Sequence, residues 1–235
     1  MVDPRLGDVK IFCIGLPKTG TTSLRALMKS NGVEEGSYYR QERDVFAHNY
    51  KKVLDNYDKG QYFSNDGNYL MYKLAFEKYG FASRYILTLR KDSRLWFESL
   101  KRHTLYANPL RHKHYRMFGR FYANGFDQEH MEYYERHNAE VVRFFAERKA
   151  SHILLTLRVD EPDAIEKLSQ FLGIAFNSNK FPKENVSSRN RQGFGNHFKK
   201  TYNMIVQTAY AHIAPLISTR SPRQALPAEP PTRSS

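Results

Sequence analysis

Residues 10–31, KIFCIGLPKTGTTSLRALMKSN, place a short apolar run, a glycine-bracketed turn and a helical pattern in direct succession, and no other stretch constrains the fold as much. Lys10 to Ile14 is rich in branched and aromatic residues and short enough for a buried strand. It stops at Gly15, where the chain can turn sharply, and Pro17 stiffens that turn. Gly20 lets the backbone come close to a ligand. Thr21, Thr22 and Ser23 then bring hydroxyls to the start of a helix whose apolar positions include Leu24, Leu27 and Met28. A helix start offers unpaired N–H groups and the positive end of its dipole, so an anion is the natural guest, and the geometry suggests a phosphate.

The spacing Gly15-x4-Gly20-Thr21-Thr22 is close to the phosphate loop of nucleoside triphosphatases. Those loops need lysine directly after the second glycine. Here that place is Thr21, and the lysine comes earlier, at Lys18. Pro17-Lys-Thr-Gly-Thr-Thr22 resembles instead the 5′-phosphosulfate loop of the sulfotransferases that use 3′-phosphoadenosine-5′-phosphosulfate. The resemblance implies that Pro17, Lys18, Thr19, Gly20, Thr21, Thr22 and Ser23 hold the sulfated end of that co-substrate. It also implies an α/β fold: a three-layer sandwich around a central parallel sheet, like the P-loop nucleotide hydrolases.

At 235 residues the chain suffices for one α/β domain with a proper core, expected over residues 1–218. The opening MVDPRLGDVK has no apolar stretch like that of a secretory signal, and no later segment supplies the roughly 18 apolar residues of a membrane span. Cys13 is the single cysteine and cannot form an internal disulfide, so a reducing cytoplasm is the simplest home. A net charge of +13 fits nucleic acid, an anionic membrane surface or a polyanionic small ligand. The charge is uneven: from Arg84 to Arg120 ten Lys or Arg face only Asp92 and Glu98.

Residues 32–63 mix charges and tyrosines without a clean period and read as loop and short helix. Gln61 to Ser64 reads as a short strand ending at the turn-forming Asn65-Asp66-Gly67, and residues 68–80 as a helix closed by Gly80. Arg84 to Arg90, RYILTLR, is the clearest strand and is apolar enough for the middle of a parallel sheet. It stops at a charge, and Lys91-Asp92-Ser93 opens a helix carrying Leu95, Trp96, Ser99 and Leu100. The stretch resembles the sulfotransferase 3′-phosphate motif, in which an arginine closes a strand and a serine lies on the next helix. Arg90 and Ser99 fill those places, nine positions apart where many members have eight.

Residues 101–125 interleave basic and aromatic side chains without a period and read as an acceptor-site wall or lid, with His103, His112 and His114 on a solvated basic loop rather than as metal ligands. A long helix follows from Phe126 to Lys149, then a strand over His152–Leu157 and a helix from Glu161 to Gly173. Tyr134-Glu-Arg-His-Asn138, the Ile153–Leu157 strand, Phe171-Leu-Gly173 and Phe181-Pro-Lys-Glu-Asn185 occur in an order similar to the second half of many sulfotransferases. Ser187 to Gly193 is polar, basic and glycine-ended, and resembles the late loop that many cytosolic members fold over the 3′-phosphate, with Arg191 and Gly193 as its ligands. Lys199 to Ile217 reads as a helix that either packs terminally or joins two copies in a homodimer, and residues 219–235 as a disordered tail.

Gly15–Thr22, Asp66 and Arg90 each follow a strand, and open α/β sheets bind ligands beyond the carboxyl ends of their strands. Sulfuryl transfer moves SO3 from a phosphate leaving group to an acceptor oxygen, or less often nitrogen. By analogy with phosphoryl transfer, the protein positions the reactants and stabilises leaving-group charge. The resemblance assigns Lys18 to the bridging oxygen and 5′-phosphate, and a general base to the region between the two phosphate motifs. Asp66 is the first candidate for the base, followed by His48 and His103. The scheme requires no metal. The acceptor is a hydroxyl on a small molecule, glycan or lipid. Two other readings remain: a small-molecule P-loop kinase, with Asp160 as its Mg2+ acid, and a non-catalytic basic nucleic-acid-binding protein.

Overall fold

Four short parallel strands carry the fold, and in the first three of them alternate side chains are buried on opposite faces. β1 (Lys10–Cys13), β2 (Tyr62–Phe63), β3 (Ser83–Thr88) and β4 (Leu154–Leu157) lie side by side in the order β2-β1-β3-β4. The computed structural model describes residues 6–64, 67–106, 114–182 and 194–217. Its helices, in chain order, are α1 (Thr21–Ser30), α2 (Gln41–Phe46), α3 (Tyr50–Lys59), α4 (Asn68–Tyr79), α5 (Ser93–Thr104), α6 (His114–Phe118), α7 (Asp127–Glu147), α8 (Ala164–Leu172) and α9 (Phe194–Ile217). The chain divides into two compact units, Met1–Lys91 with His137–Asn185, and Asp92–Arg136 with Val186–Ser235.

The first unit holds the sheet. Phe12, Phe63, Tyr85 and Leu87 join one core with Val53 and Tyr57 of α3, Met71 and Tyr72 of α4, and Val141 and Phe145 of α7. Their neighbours Ile11, Cys13, Tyr62 and Ile86 join the other core, with Leu24, Leu27 and Met28 of α1 and Leu168 of α8. Period-two alternation with both sets buried is what a parallel sheet covered on both faces requires. The result is the helix–sheet–helix sandwich expected from the sequence, an α/β architecture of the P-loop type.

Region 32–63 shows no clean period because part of its interior is polar. Buried Gln41 donates through Nε2 to Asn68 Oδ1 at 2.8 Å, and the buried Tyr57 hydroxyl donates to the same oxygen at 2.6 Å. These bonds tie α2, α3 and α4 together where an apolar stripe would otherwise be needed. Strand β4 begins at Leu154, two residues after the expected His152, because Ser151–Ile153 forms a 3-10 turn. Helix α8 begins at Ala164 and ends on Gly173, which takes the left-handed conformation at φ 71.

In the second unit Asp92 caps α5, its carboxylate accepting the Leu95 N–H at 2.7 Å. Trp96 is fully buried and stacks on Tyr134 with ring centroids 4.9 Å apart, so it is a packing residue, as its helical position implies. One expectation is corrected here. His114 is not on a solvated loop but is 1% exposed, with its Nε2 3.3 Å from Nε2 of His130. The buried His130 ring donates its Nδ1–H to the Phe126 carbonyl at 2.6 Å, which leaves its Nε2 to accept from His114. His112 and the 219–235 tail lie outside the described residues. No helix among the described residues is long and apolar enough to cross a membrane.

Candidate active site

The sheet carries the chain to the edge of the loop: Ile14 N–H still donates to the Ile86 carbonyl at 2.9 Å. At Gly15 the backbone passes directly against the end of β3. A Cβ built there would stand 2.0 Å from Thr88 Oγ1 and 2.6 Å from the Thr88 carbonyl oxygen. Thr19 then turns inward, fully buried, donating to the Leu16 carbonyl at 2.6 Å with its hydroxyl 2.6 Å from that of Thr88. Lys18 adopts φ 75, a left-handed conformation that costs a non-glycine residue about 1 kcal/mol. Gly20 takes φ 110, and a Cβ on it would lie 2.6 Å from Val159 Cγ2, beyond the end of β4. The loop is therefore fixed by two strand ends, and each glycine answers a particular close approach.

Helix α1 starts directly from Gly20. No side chain caps it and its first turn contains no acid, so its N–H groups and dipole retain their positive character. Arg90 meets the loop from the far side of Thr88, its Nε donating to the Lys18 carbonyl at 2.8 Å. Two cationic residues, 72 positions apart in sequence, thus meet at neighbouring strand ends.

Two supporting residues escape sequence reasoning. His137 of α7 sits against the start of the loop, with Nε2 3.3 Å from the Ile14 carbonyl and its ring edge-on to Tyr69. Burial pushes its pKa down to about 4, so the ring is neutral at pH 7 and Nε2–H is the donor. Glu35 clasps the end of β2. Its carboxylate accepts the Ser64 N–H at 2.9 and 3.0 Å, the Ser37 N–H at 3.1 Å and the Ser64 hydroxyl, and it pairs with Arg25 Nε of α1 at 3.4 Å. Arg25 Nε also reaches Ser64 Oγ at 3.0 Å. The quoted Tyr134–Asn138 stretch contained His137, but nothing in its spacing linked it to a loop 123 residues away.

The predicted site residues fall into three groups. Pro17 to Ser23 and Arg90 come together as described, with the side chain of Thr19 engaged inside the loop. His48 lies exposed in the turn between α2 and α3, its Nδ1 2.9 Å from the Tyr50 hydroxyl, while Ser99 and His103 lie on α5 in the second unit. Asp66, Arg191 and Gly193 lie outside the described residues. Asp160, the acid that the kinase reading needs, pairs with Arg158 at 3.5 Å.

A parallel α/β sheet whose first strand runs through a double-glycine loop into an uncapped helix defines a protein built to hold an anion at its carboxyl edge. The sequence model of the sulfotransferase domain matches residues 10–190, which contain that whole arrangement. The chain belongs to the sulfotransferase family and is an enzyme of sulfuryl transfer. No curated protein matches it.

Two histidines, His130 and His137, give a stability prediction. His130, like His137, is held by burial at a pKa of about 4, below the ordinary 6.5. Between those values the unfolded chain binds protons that the folded protein refuses, so stability falls as pH drops from about 6.5 towards 4 and is level above about 7. Each ring contributes at most about 1.4 kcal/mol per pH unit in that window. Urea midpoints measured from pH 7.5 to 5 should show this slope, and His137→Gln should flatten it by about half. A midpoint that is level across the window would contradict the assignment.

Proposed function

We propose that the chain transfers a sulfuryl group from 3′-phosphoadenosine-5′-phosphosulfate to a hydroxyl of a small-molecule, glycan or lipid acceptor. The observation that carries the reading is the bond from Arg90 Nε to the Lys18 carbonyl, because a nucleotide with a phosphosulfate at one end and a 3′-phosphate on its ribose needs two linked cationic positions. On this reading Lys18 meets the bridging oxygen and the 5′-phosphate, and Gly20, Thr21 and Thr22 cradle that phosphate at the helix start. Arg90 faces the 3′-phosphate. The acceptor oxygen attacks sulfur as the bond from sulfur to the phosphate oxygen breaks. The electron pair of that bond stays on the phosphate, where Lys18 stabilises it, and the acceptor proton passes to Asp66. Residues 1–218 act as one catalytic domain in a reducing cytoplasm, in keeping with a single, buried cysteine.

Calorimetry tests the donor. Adenosine 3′,5′-bisphosphate should bind without Mg2+, whereas ATP–Mg2+ and an oligonucleotide should bind far more weakly. Preference for ATP–Mg2+ would replace this reading with the kinase, and preference for the oligonucleotide would replace it with the nucleic-acid-binding protein. Radiolabelled donor incubated with fractionated host metabolites then identifies the acceptor.

A further inference from the structure

Arg25 of α1 is held by a single nitrogen. Its Nε donates to Ser64 Oγ at 3.0 Å and stands 3.4 Å from Glu35 Oε2, while the Ser64 hydroxyl donates to that same carboxylate oxygen. Glu35 is fixed in turn by the backbone, since it accepts the N–H groups of Ser64 and Ser37. Ser64 is buried, whereas the Arg25 side chain is 42% exposed. Among the described residues no hydrogen bond engages the two terminal nitrogens of Arg25. An ion pair between two free surface side chains orders little. Here the backbone holds the carboxylate, the carboxylate holds the serine, and the two together hold the guanidinium by its stem. The fork, whose paired N–H groups match the oxygens of an oxyanion, is left to a ligand.

The topology brings that fork beside the phosphate loop. Phe63 of β2 pairs with Phe12 of β1, so Ser64 comes level with Cys13, two residues short of Gly15, at the carboxyl edge of the sheet. Arg25 lies one turn beyond Thr21 on the same side of α1. A helical side chain leans back towards the helix N-terminus, which here is the turn at Gly20. All of these residues belong to the first unit. Arg90 reaches the loop from the end of β3, and the sheet order β2-β1-β3 puts β2 and β3 on opposite sides of β1. On the proposed reading the donor nucleotide runs from the loop to Arg90 and takes the β3 side. The β2 side is left for the acceptor, and a cation fixed there selects that acceptor by charge.

We propose that Arg25 is a specificity-determining residue whose fork binds an oxyanion, a carboxylate, sulfate or phosphate group, carried by the acceptor near the hydroxyl that is sulfated. The proposal rests on 3′-phosphoadenosine-5′-phosphosulfate being the donor. Equilibrium dialysis of radiolabelled inorganic sulfate against the full chain tests it, with adenosine 3′,5′-bisphosphate present at saturation to fill the sites of the donor's two phosphates. The wild type should bind sulfate saturably, and Arg25→Gln should weaken that binding by about tenfold or more, the loss expected for a charge-assisted pair. Its melting curve and its affinity for adenosine 3′,5′-bisphosphate should stay unchanged. Arg25→Lys, which keeps the charge without the fork, should also bind sulfate more weakly than the wild type. Equal sulfate binding by the wild type and both variants overturns the proposal and leaves Arg25 a structural clasp. A loss of adenosine 3′,5′-bisphosphate affinity in Arg25→Gln also overturns it and assigns the fork to the donor. A wild type that fails to bind adenosine 3′,5′-bisphosphate removes the donor reading itself, and the proposal with it.

Discussion

Lys18→Ala is expected to lower turnover by about 10²- to 10³-fold, the usual effect of removing one group that stabilises transition-state charge, and to weaken binding of adenosine 3′,5′-bisphosphate as well. Both effects follow from one position: the ammonium belongs to a loop whose carbonyl at the same residue is tied to Arg90. The left-handed backbone at Lys18 serves Lys and Ala about equally badly, so the substitution should leave stability nearly unchanged. Asp66→Asn provides the contrast. As the proposed base it should remove turnover without weakening nucleotide binding. Single-turnover rates and calorimetry on the two variants separate these roles, and an active Asp66→Asn enzyme would sink the assignment of the base.

Gly15→Ala is expected to destabilise the protein by about 3 kcal/mol or more, which for a chain of this size lowers the melting temperature by roughly 10 °C. The added methyl would meet the Thr88 hydroxyl at 2.0 Å, but also the Thr88 carbonyl oxygen at 2.6 Å and amide nitrogen at 2.8 Å. Backbone in the middle of a parallel sheet has nowhere to go. Removing the side chain in Gly15→Ala/Thr88→Ala should therefore not restore stability, and chemical denaturation of the single and double variants measures this directly. Recovery in the double variant would mean that the hydroxyl, not the strand end, forbids a side chain at 15.

Much of the sheet was legible because its signals are local. Lys10–Ile14 and Arg84–Arg90 are apolar runs closed by a glycine or a charge, and both become neighbouring strands. The loop was legible because glycine, lysine and threonine occur in one short stretch. What stayed hidden is non-local. Glu35 acts on Ser64 29 residues away, and His137 meets a carbonyl 123 residues away, so no spacing announces either. Strand β2 is only two residues long, and α2 and α3 bury Gln41 and Tyr57 beside Asn68 in a hydrogen-bonded cluster that breaks the apolar period. His114 misled for the same reason: a basic, irregular stretch suggests water, but this ring finds its partner in His130, sixteen residues on.

The bond between Arg90 and the loop backbone carries one further consequence. A guanidinium anchored to the carbonyl of the residue before Thr19 cannot travel apart from the turn it faces, so the interval between Arg90 and the first turn of α1 is preset. On the proposed reading that interval is a gauge. A nucleotide lacking its 3′-phosphate engages only one end of it, and the protein selects its donor by length before any bond to sulfur is strained.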